Sequence, residues 1–269
     1  MIPNILSIAG SDPSGGAGIQ ADLKTIAANG GYGMAALTAL TVQNTRGVSD
    51  AMLIPPAFIA AQIASVFADI EVHAVKIGMI GDAGIARSVA GALIAAGARA
   101  IVLDPVMVAK GGDRLLAAEA VGALVRHLLP ISALITPNLP EAGDLLGRPA
   151  PETRAQMEVA AADLRALGAR AVLLKGGHLG GADSPDYLLS DAGGVWLTGP
   201  RHATRNTHGT GCTLSSALAT RLGRGDTLEA AARAAKIYVA GAIARAGALR
   251  VGGGHGPLHH FHALDGVIS

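Results

Sequence analysis

A glycine-rich stretch near the C-terminus contains the residue types of an anion-binding turn. Thr207, Gly209, Thr210 and Gly211 precede Cys212, the single cysteine of the chain, in NTHGTGCTLSSALAT. Glycines allow a backbone to turn with positive φ and to approach a ligand closely. The first amides of the helix that follows lack intrahelical partners, and the helix dipole adds partial positive charge. The stretch predicts either a site for an anion such as phosphate or an ordinary glycine-rich helix entry.

The turn does not match the two best-known nucleotide-binding patterns. No Gly-Lys-Ser/Thr follows its glycines, so it is not a Walker A sequence. The chain also lacks G-x-G-x-x-G directly after its first strand, and the SGGAG at 14–18 has the wrong spacing. Dinucleotide binding is therefore weakly supported.

The elements that would position this turn alternate between short apolar runs and longer Ala-rich segments. Buried strands are predicted at 4–9, 35–42, 73–78, 100–104, 133–136 and 171–176. Helices are predicted at 17–29, 56–68, 82–96, 114–129, 139–146, 152–167, 211–222 and 226–247. Residues 186–198 predict a hairpin with a Gly-Gly turn. The alternation indicates a three-layer α/β/α sandwich with a mainly parallel central sheet, formed by one domain of residues 1–269.

Ligands of such sheets bind at the carboxyl ends of the strands. Each predicted strand is followed by polar or glycine-rich residues, in GSDPSGGAG, VQNTRG, IGMIGD, DPVMVAKGGD, TPNLPEAG and KGGH. We expect these segments to meet the glycine-rich turn at one edge of the sheet.

The composition excludes several classes of function. The formal net charge of +1 provides no basic field for nucleic acid or for anionic lipid. We find no signal peptide and no apolar run of membrane-spanning length. A single cysteine forms no internal disulfide, so a reducing, cytoplasmic compartment is expected.

Long motifs of this chain resemble the hydroxymethylpyrimidine/phosphomethylpyrimidine kinases of thiamin synthesis, which have a ribokinase-like fold. The resemblance starts with IAGSDPSGGAGIQADLKTIAANGGYGMAALTALTVQNTRGV and continues through KIGMIGD, VLDPVMVAKGGD, LITPNLPEA, LLKGGH and NTHGTGCTLSSALA. It implies a kinase that uses ATP and Mg²⁺ and forms a homodimer. The implied reaction adds phosphate to 4-amino-5-hydroxymethyl-2-methylpyrimidine, first on the alcohol and then on the resulting phosphate.

The resemblance also implies roles for residues at matching positions. The backbone of Gly209, Thr210, Gly211 and Cys212 would hold the transferring phosphoryl group. Asp104 and Glu141 would hold Mg²⁺, which proteins usually bind with one or two carboxylates. The implied ATP-binding residues are Lys175, Thr207, Thr210 and Lys236. The implied substrate-binding residues are Gly10, Ala17, Asp22, Gln43, Met79 and Val106. The glycine-rich segment 14–18, SGGAG, would form a mobile flap over the substrate.

Several of these residues also have an ordinary structural explanation. Asp104 can cap a turn, Glu141 can lie in the first turn of a helix, and Met79 can fill the core. Lys175 can be a solvated strand end, and Gln43 can satisfy loop backbone. The C-terminal histidines of GGGHGPLHHFHAL lack zinc-binding spacing and favour packing or solvation.

Cys212 occupies a position where many ribokinase-like enzymes have an aspartate base. It can be a small buried residue, since cysteine is often buried. We favour a role suited to two successive transfers. The second acceptor is already ionised, and a fixed carboxylate would repel it, whereas a thiol can stay neutral. We also expect the helix N-terminus to lower the thiol pKa.

Two other functions remain open at this stage. A pyridoxal or pyridoxine kinase shares the Gly-Thr-Gly-Cys turn, and Gln43 in TVQNTRGV is the residue that favours the pyrimidine. A non-catalytic nucleotide-binding regulator is the other alternative. Such a regulator need not retain Asp104, Glu141, Lys175 and the complete turn.

Overall fold

A computed structural model describes residues 1–107 and 118–264, with side chains of 118 and 119 excepted. Nine strands form a single sheet in the order β3-β2-β1-β4-β5-β6-β7-β8-β9. The strands are β1 Asn4–Ser11, β2 Tyr32–Asn44, β3 Gly47–Leu53, β4 Ala74–Ile77, β5 Ile101–Leu103, β6 Leu134–Ile135, β7 Val172–Lys175, β8 Asp186–Ser190 and β9 Gly193–Leu197. The six neighbouring strands β2, β1, β4, β5, β6 and β7 run parallel to one another. Antiparallel strands flank them, with β3 at one edge and β8 and β9 at the other.

Helices cover both faces of the sheet, which confirms the predicted three-layer architecture. They are α1 Gly18–Ala28, α2 Pro56–Asp69, α3 Ala83–Ala95, α4 Ala118–Ala123, α5 Leu139–Leu146, α6 Arg154–Ala166, α7 Thr210–Gly223 and α8 Leu228–Ala244. One apolar core lies beneath α2 to α6, and a second lies beneath α1, α7 and α8. Because the central strands are buried on both faces, their sequences are mostly apolar rather than alternating, with Ser7 and Lys76 as buried polar exceptions. No helix in the described ranges has the length and apolarity needed to cross a bilayer.

Several boundaries differ from the sequence prediction. The strand β3 was not predicted; it pairs with β2 as a solvent-exposed antiparallel edge, and its sequence GVSDAML carries little apolar signal. The hairpin of β8 and β9 is confirmed, but Asp191 and Ala192 form its turn, and the two glycines already belong to β9. The helix predicted at 114–129 continues from α4 as a π-helical turn, Leu124–Leu128, and its first residues lie outside the described ranges.

Candidate active site

One large cavity lies at the carboxyl ends of the parallel strands, where the sequence predicted it. Its volume is about 1050 Å³. Segments that follow β1, β4, β5, β6 and β7 contribute to its wall, together with the last residues of β2 and the N-terminus of α7. Predicted site residues that line it are Gly10, Ala17, Gln43, Met79, Asp104, Val106, Glu141, Lys175, Thr207, Gly209, Thr210, Gly211, Cys212 and Lys236.

The glycine-rich turn forms an open N-terminus of α7. Gly209 is the N-cap with φ +80°, and a side chain there would overlap the carbonyl oxygen of Gly16. The first intrahelical hydrogen bond runs from the Thr213 amide to the Gly209 carbonyl, at 2.9 Å. The amides of Gly211 and Cys212 precede that bond and belong to the set that a helix leaves without internal partners. The turn therefore presents backbone donors and the positive end of the α7 dipole to the cavity.

An ion pair lies directly beneath this turn. Lys175, at the end of β7, donates to Oδ1 of Asp104 at 3.0 Å, and both side chains are largely buried. A Cβ on Gly211 would lie 3.1 Å from Oδ2 of Asp104 and 3.4 Å from Nζ of Lys175. Gly211 is thus needed for space, because a larger residue would push the turn away from the charged pair. Asp104 raises the pKa of Lys175 despite burial, so the ammonium stays charged.

Glu141 completes the charged group from the first turn of α5. Its Oε2 accepts the Asn138 amide at 2.6 Å, while Asn138 Oδ1 accepts the Glu141 amide, which forms a reciprocal capping box. The same carboxylate lies 3.7 Å from Nζ of Lys175. Burial raises the pKa of Glu141 to about 7; Lys175 opposes this shift and the neighbouring Asp104 adds to it. Two carboxylates thus share one ammonium, which leaves one negative charge uncompensated.

Asp22 does not line the cavity, contrary to the prediction that it contacts substrate. It is fully buried in α1, where it bonds Nζ of Lys76 at 2.8 Å. Ser7 and Ser216 donate to its two oxygens at 2.6 and 2.8 Å. These contacts tie α1, β1, β4 and α7 together below the glycine-rich turn. With its oxygens engaged there, Asp22 is placed to organise the site rather than to touch a ligand.

Sequence reasoning missed Lys76, the partner of Asp22. It is fully buried in β4, and Asp22 is the main reason that its pKa is raised despite burial. A usable signal was present, because a lysine in the middle of the apolar strand AVKI is flanked by buried positions on both sides. A lysine in that setting requires a buried carboxylate partner.

The pKa of the Cys212 thiol differs from the prediction. Burial raises its pKa to about 11, and the nearby Asp22 and Asp104 act in the same direction against the attraction of Lys76. The pKa of Cys212 is therefore raised rather than lowered as expected, with burial as the largest cause. The thiol is therefore neutral at physiological pH.

A lysine and an arginine hold the segments beside β7 and β8, next to the charged group. Lys236 of α8 lines the cavity but also donates to Asp186 Oδ2 at 2.6 Å and to the Ser184 carbonyl at 2.7 Å. Arg201, which was not predicted, donates to the carbonyls of four residues in the loop after β7: Gly177, Leu179, Gly181 and Asp183. Both side chains shape the loop that borders this part of the cavity.

Asp12, also missed, shapes the glycine-rich segment after β1. Its carboxylate accepts the amides of Ser14, Gly16 and Ala17 at 2.8 to 3.2 Å, and the Ser14 hydroxyl at 2.7 Å. Although burial opposes it, hydrogen bonds from His208, Ser14 and the local amides lower its pKa to about 2. The DPSGG sequence gave a signal, since an aspartate often bonds backbone amides a few residues further on.

Phosphoryl transfer asks a protein mainly for positioned donors and charges, and this cavity provides both at one edge of a parallel sheet. Fold and site together define a small-molecule kinase of the ribokinase-like α/β/α class. The family that the sequence motifs indicated is confirmed. Residues 12–259 match the family model described as phosphomethylpyrimidine kinase, and the chain belongs to that family.

Individual relatives agree with this assignment. The chain is 50% identical to the hydroxymethylpyrimidine/phosphomethylpyrimidine kinase of Escherichia coli, over 97% of this chain and 98% of the relative. It superposes on the pyridoxal kinase of Bacillus subtilis, solved with ADP, with a TM-score of 0.90 and 36% identity, covering 98% and 99% of the two chains. The phosphomethylpyrimidine kinase of Clostridium difficile gives a TM-score of 0.78 at 40% identity, covering 88% and 97%.

Proposed function

We propose that the chain transfers phosphate from ATP to 4-amino-5-hydroxymethyl-2-methylpyrimidine, and then to the monophosphate, in thiamin synthesis. The observation that carries this proposal is the contact of the open α7 turn with the Lys175–Asp104 pair inside a cavity large enough for two ligands. The family's names support the same reaction. The sequence from Met1 to Ser269 is proposed to act as one domain.

The two ends of the cavity suit the two substrates. Gly10, Ala17, Met79 and Val106 line the same cavity as Gln43 with small or apolar groups, which suits a methylated pyrimidine. At the other end, Lys236, Ile237 and Ile243 line a surface suited to a nucleoside, with Thr207 and Thr210 beside the phosphates. The transferring phosphoryl group would lie between these ends, against the α7 amides.

The charged group fits Mg²⁺. Asp104 and Glu141 offer hard oxygen ligands, and two ionised carboxylates beside the single ammonium of Lys175 favour a bound cation. When bound with ATP, the ion supplies charge neutralisation on the phosphate oxygens. Glu141 must be ionised to serve as a ligand, and the cation itself favours that form.

The residues of this chain carry out the positioning. The amides of Gly211 and Cys212 hold oxygens of the transferring group, and Lys175 neutralises the charge that develops there. Asp104 accepts a hydrogen bond from Nζ of Lys175 at 3.0 Å and so holds the ammonium beneath the turn. The loose transition state of phosphoryl transfer makes small demands on a base. A neutral Cys212 is therefore compatible with the first step.

Cys212 is proposed to matter in the second step by carrying no charge. The acceptor is then an ionised phosphate, and a carboxylate at this position would repel it. Cys212→Asp should therefore lose the second phosphorylation more than the first, as followed by mass spectrometry of both products. Equal losses in the two steps would contradict the role, and Cys212→Ser, also neutral, is the matched control.

The central experiment is incubation of the purified protein with Mg·ATP and the hydroxymethylpyrimidine, with products followed by mass spectrometry. The expected result is the monophosphate followed by the diphosphate, with both lost in Lys175→Met. Pyridoxal is tested in parallel, because a pyridoxal kinase is among the structures this chain matches. Phosphate on pyridoxal alone would assign the chain to vitamin B6 salvage, and no product from either substrate would overturn the kinase proposal.

We also propose a cytoplasmic homodimer. The outer face of the β2–β3 ribbon exposes Leu40, Val42 and Met52, of which Leu40 and Met52 are cross-strand partners. Val42 and Met52 are each 61% exposed, and Phe58 of α2 is 62% exposed. Exposed apolar groups concentrated on a sheet edge are typical of an interface between subunits. Light scattering of the wild type should give twice the chain mass, and Val42→Asp with Met52→Asp should reduce it to one.

A further inference from the structure

A C-terminal segment, residues 252–260 with the sequence GGGHGPLHH, contacts two walls of the site, and we call it the C-terminal strap. It begins against the turn between β2 and β3. The amide of Gly254 donates to Oγ1 of Thr45 at 3.1 Å, and the amide of His255 donates to the Thr45 carbonyl at 2.8 Å. A side chain at Gly254 would overlap that carbonyl oxygen. Because Thr45 lies two residues beyond the cavity-lining Gln43, the strap is fastened to the end of β2.

The strap next contacts the residues that lead into the α7 turn. The amide of His208 donates to the carbonyl of Gly256 at 3.0 Å, beside a parallel bridge between His208 and Pro257. A side chain at Gly256 would overlap Oδ1 of Asn206, so the two segments pack closely here. Since His208 directly precedes the N-cap Gly209, the strap is also fastened to the start of the turn.

The strap ends on a chain of hydrogen bonds that leads to the N-cap of α7. The Gly209 carbonyl accepts both the amide and the hydroxyl of Thr213, at 2.9 and 2.8 Å. The hydroxyl has one hydrogen, so Oγ1 of Thr213 can only accept from Nε2 of His260, which lies 3.2 Å away. Burial lowers the pKa of His260 to about 4, and Lys24 and two neighbouring histidines act in the same direction. The ring is therefore neutral and carries its proton on Nε2.

We infer that the C-terminal strap, through Gly256 and His260, is a positioning element that holds the α7 turn in place relative to the end of β2. The turn offers its amides to the transferring phosphoryl group, and the end of β2 borders the acceptor. Transfer requires the two to be in line, and a displacement of about 1 Å can cost roughly 100-fold in rate. Neither Gly256 nor His260 lines the cavity, so both act through His208 and Thr213. This inference rests on the proposed phosphoryl transfer.

The test compares kcat and KM of the wild type, Gly256→Ala and His260→Leu in the full chain. The first variant forces the strap away from Asn206, and the second removes the donor to Thr213. Each should lower kcat by roughly tenfold, because the turn shifts by a fraction of an ångström. KM for ATP and for the acceptor should stay within about threefold. His260→Gln keeps an N–H near the position of Nε2 and should restore kcat to within about threefold of the wild type.

Two matched controls accompany these variants. Gly247→Ala adds a methyl group to the same C-terminal part of the chain, where no atom of the described residues lies within 4 Å of the new Cβ. His127→Leu makes the histidine replacement in the π-helical turn after α4, outside the cavity. Both controls should keep the kcat of the wild type.

A second readout separates positioning from a loss of stability. Aluminium fluoride bound with Mg·ADP imitates the transferring phosphoryl group, so the gain in ADP affinity that it causes reports on the α7 turn without any acceptor. This gain should be roughly tenfold smaller in Gly256→Ala and His260→Leu, while Kd for Mg·ADP alone stays within about threefold. Thr213→Val removes the hydroxyl that links His260 to Gly209. Adding His260→Leu to Thr213→Val should therefore lower kcat no further.

The outcomes separate the inference from the proposed function. If the wild type phosphorylates neither the pyrimidine nor pyridoxal, the proposed function is wrong, and the aluminium fluoride comparison still decides the role of the strap. That role is overturned if Gly256→Ala and His260→Leu lower Tm but leave kcat and the aluminium fluoride gain as in the wild type. Additive losses in the Thr213→Val, His260→Leu double variant would overturn the hydrogen-bond chain from His260 to Gly209.

Discussion

The ionisation of Glu141 yields a prediction in which stability and function oppose each other. Burial, with Asp104 nearby, raises its pKa from 4.5 to about 7. At 1.36 kcal/mol per pKa unit, holding this carboxylate ionised in the folded protein costs about 3 kcal/mol. A raised pKa in an acid means that the folded state binds the extra proton. Stability is therefore highest below pH 4.5 as far as this group is concerned, and falls as pH rises through 7.

Glu141→Gln should remove this pH-dependent cost. Glutamine keeps an oxygen that can accept the Asn138 amide, so the helix cap is retained, and Lys175 keeps its partner Asp104. In metal-free buffer at pH 8, the variant should be more stable than the wild type by about 3 kcal/mol, a gain of roughly 6–12 °C in Tm. At pH 5 the two proteins should be nearly equal.

The assay is thermal and urea unfolding at pH 5 and pH 8, followed by kinetics with Mg·ATP. The variant should have weakened Mg²⁺ dependence and much lower kcat, because it lacks a charged ligand. In the wild type, kcat/KM for Mg·ATP should rise with pH toward 7 and then level off. Glu152→Gln, at an exposed glutamate, is the matched control. The reasoning would be refuted if the stability difference between Glu141→Gln and the wild type were the same at pH 8 as at pH 5.

Three further predictions follow from neighbouring contacts. Lys76→Met leaves Asp22 buried without its cation and should lower the free energy of unfolding by about 3–5 kcal/mol in urea denaturation; a loss below about 1 kcal/mol would contradict the buried pair. Gly211→Ala places a methyl group 3.1 Å from Asp104 and should lower kcat by roughly 100-fold with little change in Tm. A kcat within threefold of wild type would count against the close approach. Because its pKa is about 11, Cys212 should react with iodoacetamide at pH 7.5 roughly 100-fold more slowly than an ordinary thiol, as measured by mass spectrometry, and an ordinary rate would exclude a neutral buried thiol.

The sequence was most informative where local chemistry dictates local structure. Continuous apolar runs such as ILSIA require a strand buried on both faces, and each strand end was followed by turn residues that gather at one edge. The GTGC turn predicted an open helix N-terminus. These features predicted the sandwich and the edge of the sheet where the cavity lies, whereas the fourteen predicted residues that line the cavity were implied by the resemblance to the kinase family.

Other features depended on which elements meet, and a single sequence does not contain that information. The edge strand β3 has a weak apolar pattern and no buried residue, so only its pairing with β2 reveals it. Asp22 looked like a substrate acceptor until the fold placed Lys76, 54 residues away, beside it. The pKa of Cys212 likewise depends on burial and on Lys76, Asp22 and Asp104, which come from other elements.

The sequence by itself thus determined the layers of the sandwich, the edge of the sheet where the cavity lies and the open helix N-terminus of the glycine-rich turn. These follow from periodicity, turn chemistry and backbone geometry, which act over a few residues. Only the tertiary structure decided the surroundings that raise the pKa values of Glu141 and Cys212, the partner of Asp22 and the pairing of Asp12 with His208. Those properties arise from burial and from groups such as Asp12 and His208, 196 residues apart, whose contact exists only in the folded chain.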